Sequence, residues 1–225
     1  MSGHALVTGA SSGIGAAIVA RLLGQGWRVT GVARRPTAFP SPAYRGLVAD
    51  LARPDGAEAV LAAAGPVTAL VHAAGILKPG SLGALDAEAG AAMWQLHVAA
   101  AERLANGLAP AMAQGGRLVL IGSRTATGSA ARSQYAATKA ALVAMARSWA
   151  IELAPRGITA NVVAPAATET PMLNDPGRGG VAPRLPPIGR FIRPDEVAAA
   201  VAFLLSPDAD AITGQTLTIC GGSSL

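Results

Sequence analysis

A tyrosine and a lysine four residues apart, Tyr135 and Lys139, are the side chains of this chain best suited to move a proton. They lie in the run Ser133-Gln134-Tyr135-Ala136-Ala137-Thr138-Lys139-Ala140-Ala141-Leu142, which meets no Gly or Pro before Pro155. An Ala-rich run of that kind favours a long helix, and Ser133 is its expected N-cap. On a helix, residues i and i+4 stand one turn apart on the same face. A fixed ammonium beside a phenol favours the phenolate and lowers the tyrosine pKa toward working pH. That makes a general acid/base for a substrate oxygen. Taken alone, the pair equally describes two solvated residues of an amphipathic helix.

A second chemical feature stands at the N-terminus. Ala5-Leu6-Val7 reads as a short buried strand, followed by the turn Thr8-Gly9-Ala10-Ser11-Ser12-Gly13-Ile14-Gly15. A helical pattern carrying Ile14, Ile18, Leu22 and Leu23 follows and ends near Gly24-Gln25-Gly26. Strand, Gly-rich turn and helix start together offer free backbone N–H groups and a positive dipole end to an anion such as a pyrophosphate. The spacing is GxxxGxG, not the commoner GxGxxG. The next strand, Trp27 to Val32, runs into Ala33-Arg34-Arg35. An NAD site places an acidic residue there for the ribose 2′-hydroxyl. This chain has no Asp or Glu before Asp50, and a bidentate Arg fork suits a 2′-phosphate. The expected cofactor is therefore NADP, with NAD less favoured; the other reading of Arg34 and Arg35 is a solvated loop.

These features must be held by a framework that the rest of the chain supplies. Residues 36–45 hold Pro36, Pro40 and Pro42, so the crossover there is expected to be a bare loop. Strands follow at Gly46–Ala49, ending in Asp50-Leu51, and at Thr68–Val71, ending in His72-Ala73-Ala74-Gly75. A helix near 54–64 lies between them, and a long Ala-rich helix is expected over 86–113, with Met93, Trp94, His97 and Leu104. A strand over 116–121 delivers Ser123, and Gly157–Val163 is the next. A Pro/Gly-rich segment, a helix near 195–205 and a strand at 215–219 complete the chain. Strands alternate with helices throughout, without repeat or linker. The fold class is therefore α/β: a single domain over residues 1–225, with a Rossmann-type doubly wound parallel sheet of about seven strands flanked by helices.

Composition fits that fold. The chain has 225 residues, 51% of them hydrophobic and only 4% aromatic, and small residues suit helices packed closely on a parallel sheet. The single cysteine, Cys220, excludes an internal disulfide and fits a reducing compartment. Residues 1–9 lack the pattern of a signal peptide, so a cytoplasmic location is expected, and no apolar run is long enough to span a membrane. The net charge of +5 is concentrated before Asp50, in Arg21, Arg28, Arg34, Arg35 and Arg45. That points to a local anionic ligand, not to a nucleic-acid track. No metal-ligating cluster stands out.

At this point the chain resembles the short-chain dehydrogenase/reductase family along essentially its whole length, with likeness to ketoacyl-reductase-like members. The resemblance rests on Thr8-Gly9-Ala10-Ser11-Ser12-Gly13-Ile14-Gly15, Asp50-Leu51, His72-Ala73-Ala74-Gly75, Ser123, Tyr135-Ala136-Ala137-Thr138-Lys139, Pro165-Ala166 and Thr170, in that order. It implies an oxidoreductase moving a hydride between a nicotinamide and a ketone or secondary alcohol. Tyr135 would be the acid/base, Lys139 would hold the nicotinamide ribose, and Ser123 would polarise the carbonyl. Gly9, Ser11, Ser12, Gly13, Ile14 and Gly15 would line the pyrophosphate and ribose, and Asp50 and Leu51 would meet the adenine. The backbone of His72, Ala73 and Ala74 would flank the adenosine ribose, while Pro165, Ala166, Thr168 and Thr170 would hold the nicotinamide. The resemblance also implies a homotetramer or homodimer built through the long central helices.

Four departures from the family pattern bear on efficiency. His97 stands where the family has an asparagine that holds a water of the proton relay; it either carries protons itself or is a packed helix residue. His72 replaces another asparagine. The loop between Ser123 and Tyr135 is one residue short, and Pro165-Ala166 replaces Pro-Gly. Residues 172–190 lie where the family carries a flexible substrate lid; here Arg178, Arg184 and Arg190 either greet an anionic substrate or are solvated, and Arg124 is a further candidate contact. Two other classes remain open at this level: a catalytically impaired NADP(H)-binding regulatory or scaffold protein, and a basic nucleic-acid binder.

Overall fold

In the computed structural model, which describes residues 3–174 and 183–225, seven parallel strands form one sheet in the order β3-β2-β1-β4-β5-β6-β7. They are β1 His4–Thr8, β2 Arg28–Ala33, β3 Tyr44–Val48, β4 Ala69–His72, β5 Arg117–Ile121, β6 Thr159–Pro165 and β7 Thr216–Ile219. The helices are α1 Gly13–Gly24, α2 Pro54–Ala64, α3 Ala87–Trp94, α4 Ala100–Leu108, α5 Ser133–Leu153 and α6 Pro194–Leu205. This is the expected single-domain doubly wound fold. No helix among the described residues is long and apolar enough to cross a membrane.

The two-residue side-chain period of the strands makes two cores at once. Ala5 and Val7 of β1, Val71 of β4, Val119 of β5 and Val163 of β6 pack on one face with Ile18 and Leu22 of α1 and Val197 and Val201 of α6. Leu6, Leu70 and Leu118, one register position away, pack on the other with Val60 of α2 and Leu104 of α4. Leu120 and Val162 extend that face under Leu142 and Ala146 of α5. The chain order reverses between β1 and β4, where Thr8 is paired with His72. At such a reversal the two connections leave in opposite directions and open a crevice beyond the carboxyl ends of the strands.

Two expectations about elements need correction. The long helix over 86–113 is not one regular helix: α3 and α4 are separated by a π-helical turn at Gln95–Ala99, in which Ala100 N–H reaches back to Gln95 O. Leu96 O instead takes a hydrogen bond from the His72 side chain at 3.0 Å, a partner 24 residues away that no local pattern announces. Ser133 is the first residue of α5, and Arg132 occupies its cap position. Ser133 therefore does not cap the helix that carries Tyr135. The expected bare crossover is present: no helix joins β2 to β3. Of the lid over 172–190, residues 175–182, including Arg178, lie outside the described residues.

Candidate active site

The N-terminal turn is shaped by two close approaches. Gly9 has φ +70°, and a Cβ there would lie 2.9 Å from the backbone of Ala73 and Ala74. A Cβ on Gly15 would overlap the Gly9 carbonyl oxygen. Only glycine lets the turn, the end of β4 and the start of α1 come together this tightly. Thr8 fastens the junction: its Oγ1 accepts the N–H groups of Ala73 and Ala74, each at 3.0 Å. Ser12 precedes α1 without a side-chain cap bond, and no acidic residue stands in the first turn. The N-terminal amides and their positive dipole end are thus left for an anion.

A cleft of about 640 Å³ opens above the carboxyl ends of the strands, and Ser123, Tyr135 and Lys139 all line it. They arrive on two different supports. Ser123 follows β5 and opens the short 3₁₀ turn Arg124–Thr127; its Oγ accepts Thr125 N–H at 3.2 Å and lies 2.9 Å from Thr125 Oγ1. Tyr135 and Lys139 come from the first two turns of α5, as their spacing predicts. Lys139 Nζ sits 5.7 Å from the centre of the Tyr135 ring and donates to Ile121 O at 2.8 Å. Lys139 is buried, and desolvation of its ammonium brings its pKa down to about 7.

Two histidines sit beneath this cleft, and the hydrogen bonds fix both tautomers. Ile76 N–H can only donate, and it donates to His97 Nε2 at 3.0 Å. The His97 proton is therefore on Nδ1, which faces Thr138 Oγ1 at 2.8 Å, and Thr138 in turn donates to Tyr135 O. For His72 the logic runs the other way. Leu96 O can only accept, so Nε2 carries the proton, and Nδ1 accepts from Thr8 Oγ1 at 3.1 Å. Burial, then the Lys139 charge, pull the pKa of His72 down to about 4 and that of His97 well below 6.5. Of the two roles open to His97, the geometry matches the packed one: both ring nitrogens are engaged by protein groups and the ring is fully buried.

The remaining sequence-level candidates fall into three groups. Ile14, Ala73, Pro165, Ala166, Thr168 and Thr170 line the same cleft as Tyr135. Ser11 and Arg35 line a second hollow of about 430 Å³, walled by Ala10, Pro36, Thr37, Ala38 and Phe39. Arg34 is exposed and stands outside that lining. Its walls are braced by the Phe39–Tyr44 ring contact at 4.7 Å and by a Thr37–Tyr44 hydroxyl hydrogen bond. Asp50, Leu51, His72 and Ala74 line neither hollow. Leu51 is in the core, Asp50 Oδ1 accepts Ala52 N–H, and the His72 ring points into the fold.

On the other side of the cleft the structure brings in residues that sequence reasoning passed over or read differently. Gly222, Ser223 and Leu225 form part of its wall beside Pro183, Arg184, Leu185 and Pro187. The tail is held by Ile188 N–H donating to Gly221 O at 3.1 Å and by Arg124 Nη1 donating to Ser223 O at 3.2 Å. Arg190, a candidate for greeting an anion, is instead paired with both oxygens of Glu196 at 2.8 and 2.7 Å. It buttresses the start of α6. Among the described residues no three His, Cys, Asp or Glu side chains converge as a metal site.

The residues present fit a dinucleotide: an open helix N-terminus under a glycine cradle, a hollow with a guanidinium at one end and a cleft with proton-bearing groups at the other. Comparison with known proteins gives the same direction. Residues 9–224 match the model of a family described as enoyl-(acyl carrier protein) reductase. The chain is 38% identical over 234 residues to the 3-oxoacyl-[acyl-carrier-protein] reductase FabG of Salmonella typhimurium, covering 97% of this chain and 96% of that one. A short-chain dehydrogenase from Burkholderia cenocepacia, crystallised with NADP, superposes with TM-score 0.86 at 36% identity, covering 98% and 97% of the two chains. A 3-ketoacyl-(acyl-carrier-protein) reductase from Brucella melitensis, complexed with NADH, does so with TM-score 0.88 at 30% identity, covering 99% and 98%. The chain belongs to the short-chain dehydrogenase/reductase family of nicotinamide-dependent oxidoreductases.

Proposed function

We propose that the protein is an NADPH-preferring carbonyl reductase that acts through Ser123, Tyr135 and Lys139. The observation that carries this reading is their convergence on one cleft, which also contains Ile14 of the Gly-rich turn. When bound, the dihydronicotinamide supplies the hydride for the carbonyl carbon. The chain's own residues do the rest. The Ser123 hydroxyl, steadied by Thr125, hydrogen-bonds the carbonyl oxygen where negative charge develops. Tyr135 delivers the proton that turns this oxygen into a hydroxyl. Lys139 keeps one N–H on Ile121 O and can aim its others at ribose hydroxyls, while its charge lies close to the tyrosine in a dehydrated site. Gly9, Ser11, Ser12, Gly13, Ile14 and Gly15 receive the pyrophosphate and ribose, and Arg35 the 2′-phosphate. Asp50, Leu51, His72, Ala73 and Ala74 shape the adenosine side. Pro165, Ala166, Thr168 and Thr170 form the nicotinamide side of the cleft, and Met172, Leu185 and Pro187 line its substrate side.

The enzyme would work as a cytoplasmic homodimer or homotetramer, with the Ala-rich faces of α4 and α5 as the associating surfaces. The test of the chemistry is Tyr135→Phe, which keeps the ring and removes the proton. NADPH binding, followed by fluorescence, should persist while carbonyl-dependent NADPH oxidation is lost; retained turnover would sink the mechanism.

A further inference from the structure

We propose that the substrate of this site is an oxo acid, and that Arg124 holds its carboxylate beside the carbonyl engaged by Ser123. The inference rests on the carbonyl-reductase reading above and adds the chemical class of what is reduced.

The first ground is the charge of the cleft. Arg124, Arg132, Arg184 and Lys139 line it, and no Asp or Glu is among its described lining residues. Four arginines outside the cleft find carboxylates: Arg53 pairs with Asp55, Arg117 with Asp210, Arg190 with Glu196 and Arg193 with Asp195. Among the described residues Arg124 and Arg184 form no such pair. Cations such as Arg124 and Arg184, gathered on a concave wall with no carboxylate among its described lining residues, raise the local concentration of an anion and bind it more strongly than in open solvent.

The second ground is the placement of Arg124. It follows Ser123 directly in the chain and begins the 3₁₀ turn that Ser123 caps. Its Nη1 donates to the Ser223 carbonyl at 3.2 Å, and its Nη2 and Nε have no acceptor among the described residues. The bond to the tail holds the guanidinium in place, and a planar fork with donors to spare suits a carboxylate. Ser123 and Arg124 both line the cleft, so one small molecule carrying a carbonyl and a carboxylate can reach both. A neutral acyl thioester puts no charge there and leaves the arginines unused. The apolar wall of Leu77, Met172, Leu185 and Pro187 receives the remaining carbon chain.

The experiment compares oxo acids with their own methyl esters, using 2-oxobutanoate and 4-oxopentanoate as probes and NADPH oxidation as the readout, in the wild-type enzyme and in Arg124→Gln and Arg124→Lys. In the wild type, kcat/KM for the acid should exceed that for the ester by about tenfold or more at low salt, and the ratio should shrink as salt is added. In Arg124→Gln the acid-to-ester ratio should fall to about one, through KM and not kcat; Arg124→Lys, which keeps the charge but loses the fork, should lie between. A wild type that reduces the ester as well as the acid overturns the inference and leaves the reductase reading standing. An equal loss on acid and ester in both variants also overturns it, since that is the signature of a strut between the Ser123 loop and the tail. Failure of the wild type to reduce any carbonyl, including simple ketones and acyl thioesters, overturns both readings.

Discussion

His97 and Tyr135 meet edge to face, with ring centroids 5.6 Å apart and planes inclined by 86°. The contact is one of three that His97 makes with neighbours of the reaction cleft. The others run to Ile76 N–H and Thr138 Oγ1. The ring therefore ties the loop after β4 to the helix that carries the tyrosine, from a position on the π turn between α3 and α4. Replacing it with leucine keeps the volume but leaves a buried backbone donor and a buried hydroxyl without that partner. Each such loss costs about 1–3 kcal/mol. His97→Leu should be destabilised by about 2–5 kcal/mol in urea unfolding, and an unchanged unfolding midpoint would show that the ring is dispensable to the fold.

The two buried histidines make acid stability a sensitive quantity. Both have native pKa values below the 6.5 of an unfolded chain, His72 at about 4 and His97 well below its ordinary value. Between those limits the unfolded chain binds protons that the native one refuses. Stability is thus fully present above about pH 6.5 and is lost as pH falls toward the native values, at up to about 1.4 kcal/mol per pH unit for each histidine. Thermal melts between pH 7 and 4.5 should show a steep decline, and the slope should be shallower in His72→Asn. A melting temperature flat over that interval would contradict the hydrogen-bond pattern.

The arginine pair after β2 separates into unequal members. Arg35 lines the hollow beside Ser11 and Thr37, and Arg34 does not. Arg35→Ala should therefore shift the ratio of kcat/KM for NADPH over NADH by about tenfold or more toward NADH, as expected for loss of a charge-assisted phosphate contact. Arg34→Ala should change it by less than about threefold. Equal effects of the two substitutions would mean that the loop moves on binding and presents both.

What could be read from the chain and what could not divides by the range of the interactions concerned. The strands, the glycine turn and the Tyr135–Lys139 spacing depend on neighbours a few residues apart, and all are visible as local pattern. The bare crossover was equally plain from Pro36, Pro40 and Pro42. The π turn was hidden because it is completed by His72, whose proton meets Leu96 O from another element. The wall formed by Ser223 was hidden for the same reason, since its partner Arg124 is 99 residues away. Arg190 stays open in the sequence between an anion contact and a solvated side chain, because its type and place say only cationic and near the cleft. Its pairing with Glu196, six residues on, is a matter of local geometry. Conversely, nothing in His97 as a residue type said which of its two roles held; only the fixed direction of the Ile76 N–H did.

The helix missing between β2 and β3 reaches beyond the shape of one loop. β3 is the edge of the sheet, Val48 on it is 61% exposed, and the strand pairs only with β2. Without a helix lying over it, this margin has few apolar contacts to hold it shut and should open locally at lower free energy than the centre of the sheet. The loop that replaces the helix is also the wall of the hollow assigned to the 2′-phosphate, so a molecule seated there braces the strand next to it. Amide exchange in β3 would then slow when the dinucleotide binds, and cofactor occupancy would be recorded in the breathing of the fold's weakest border.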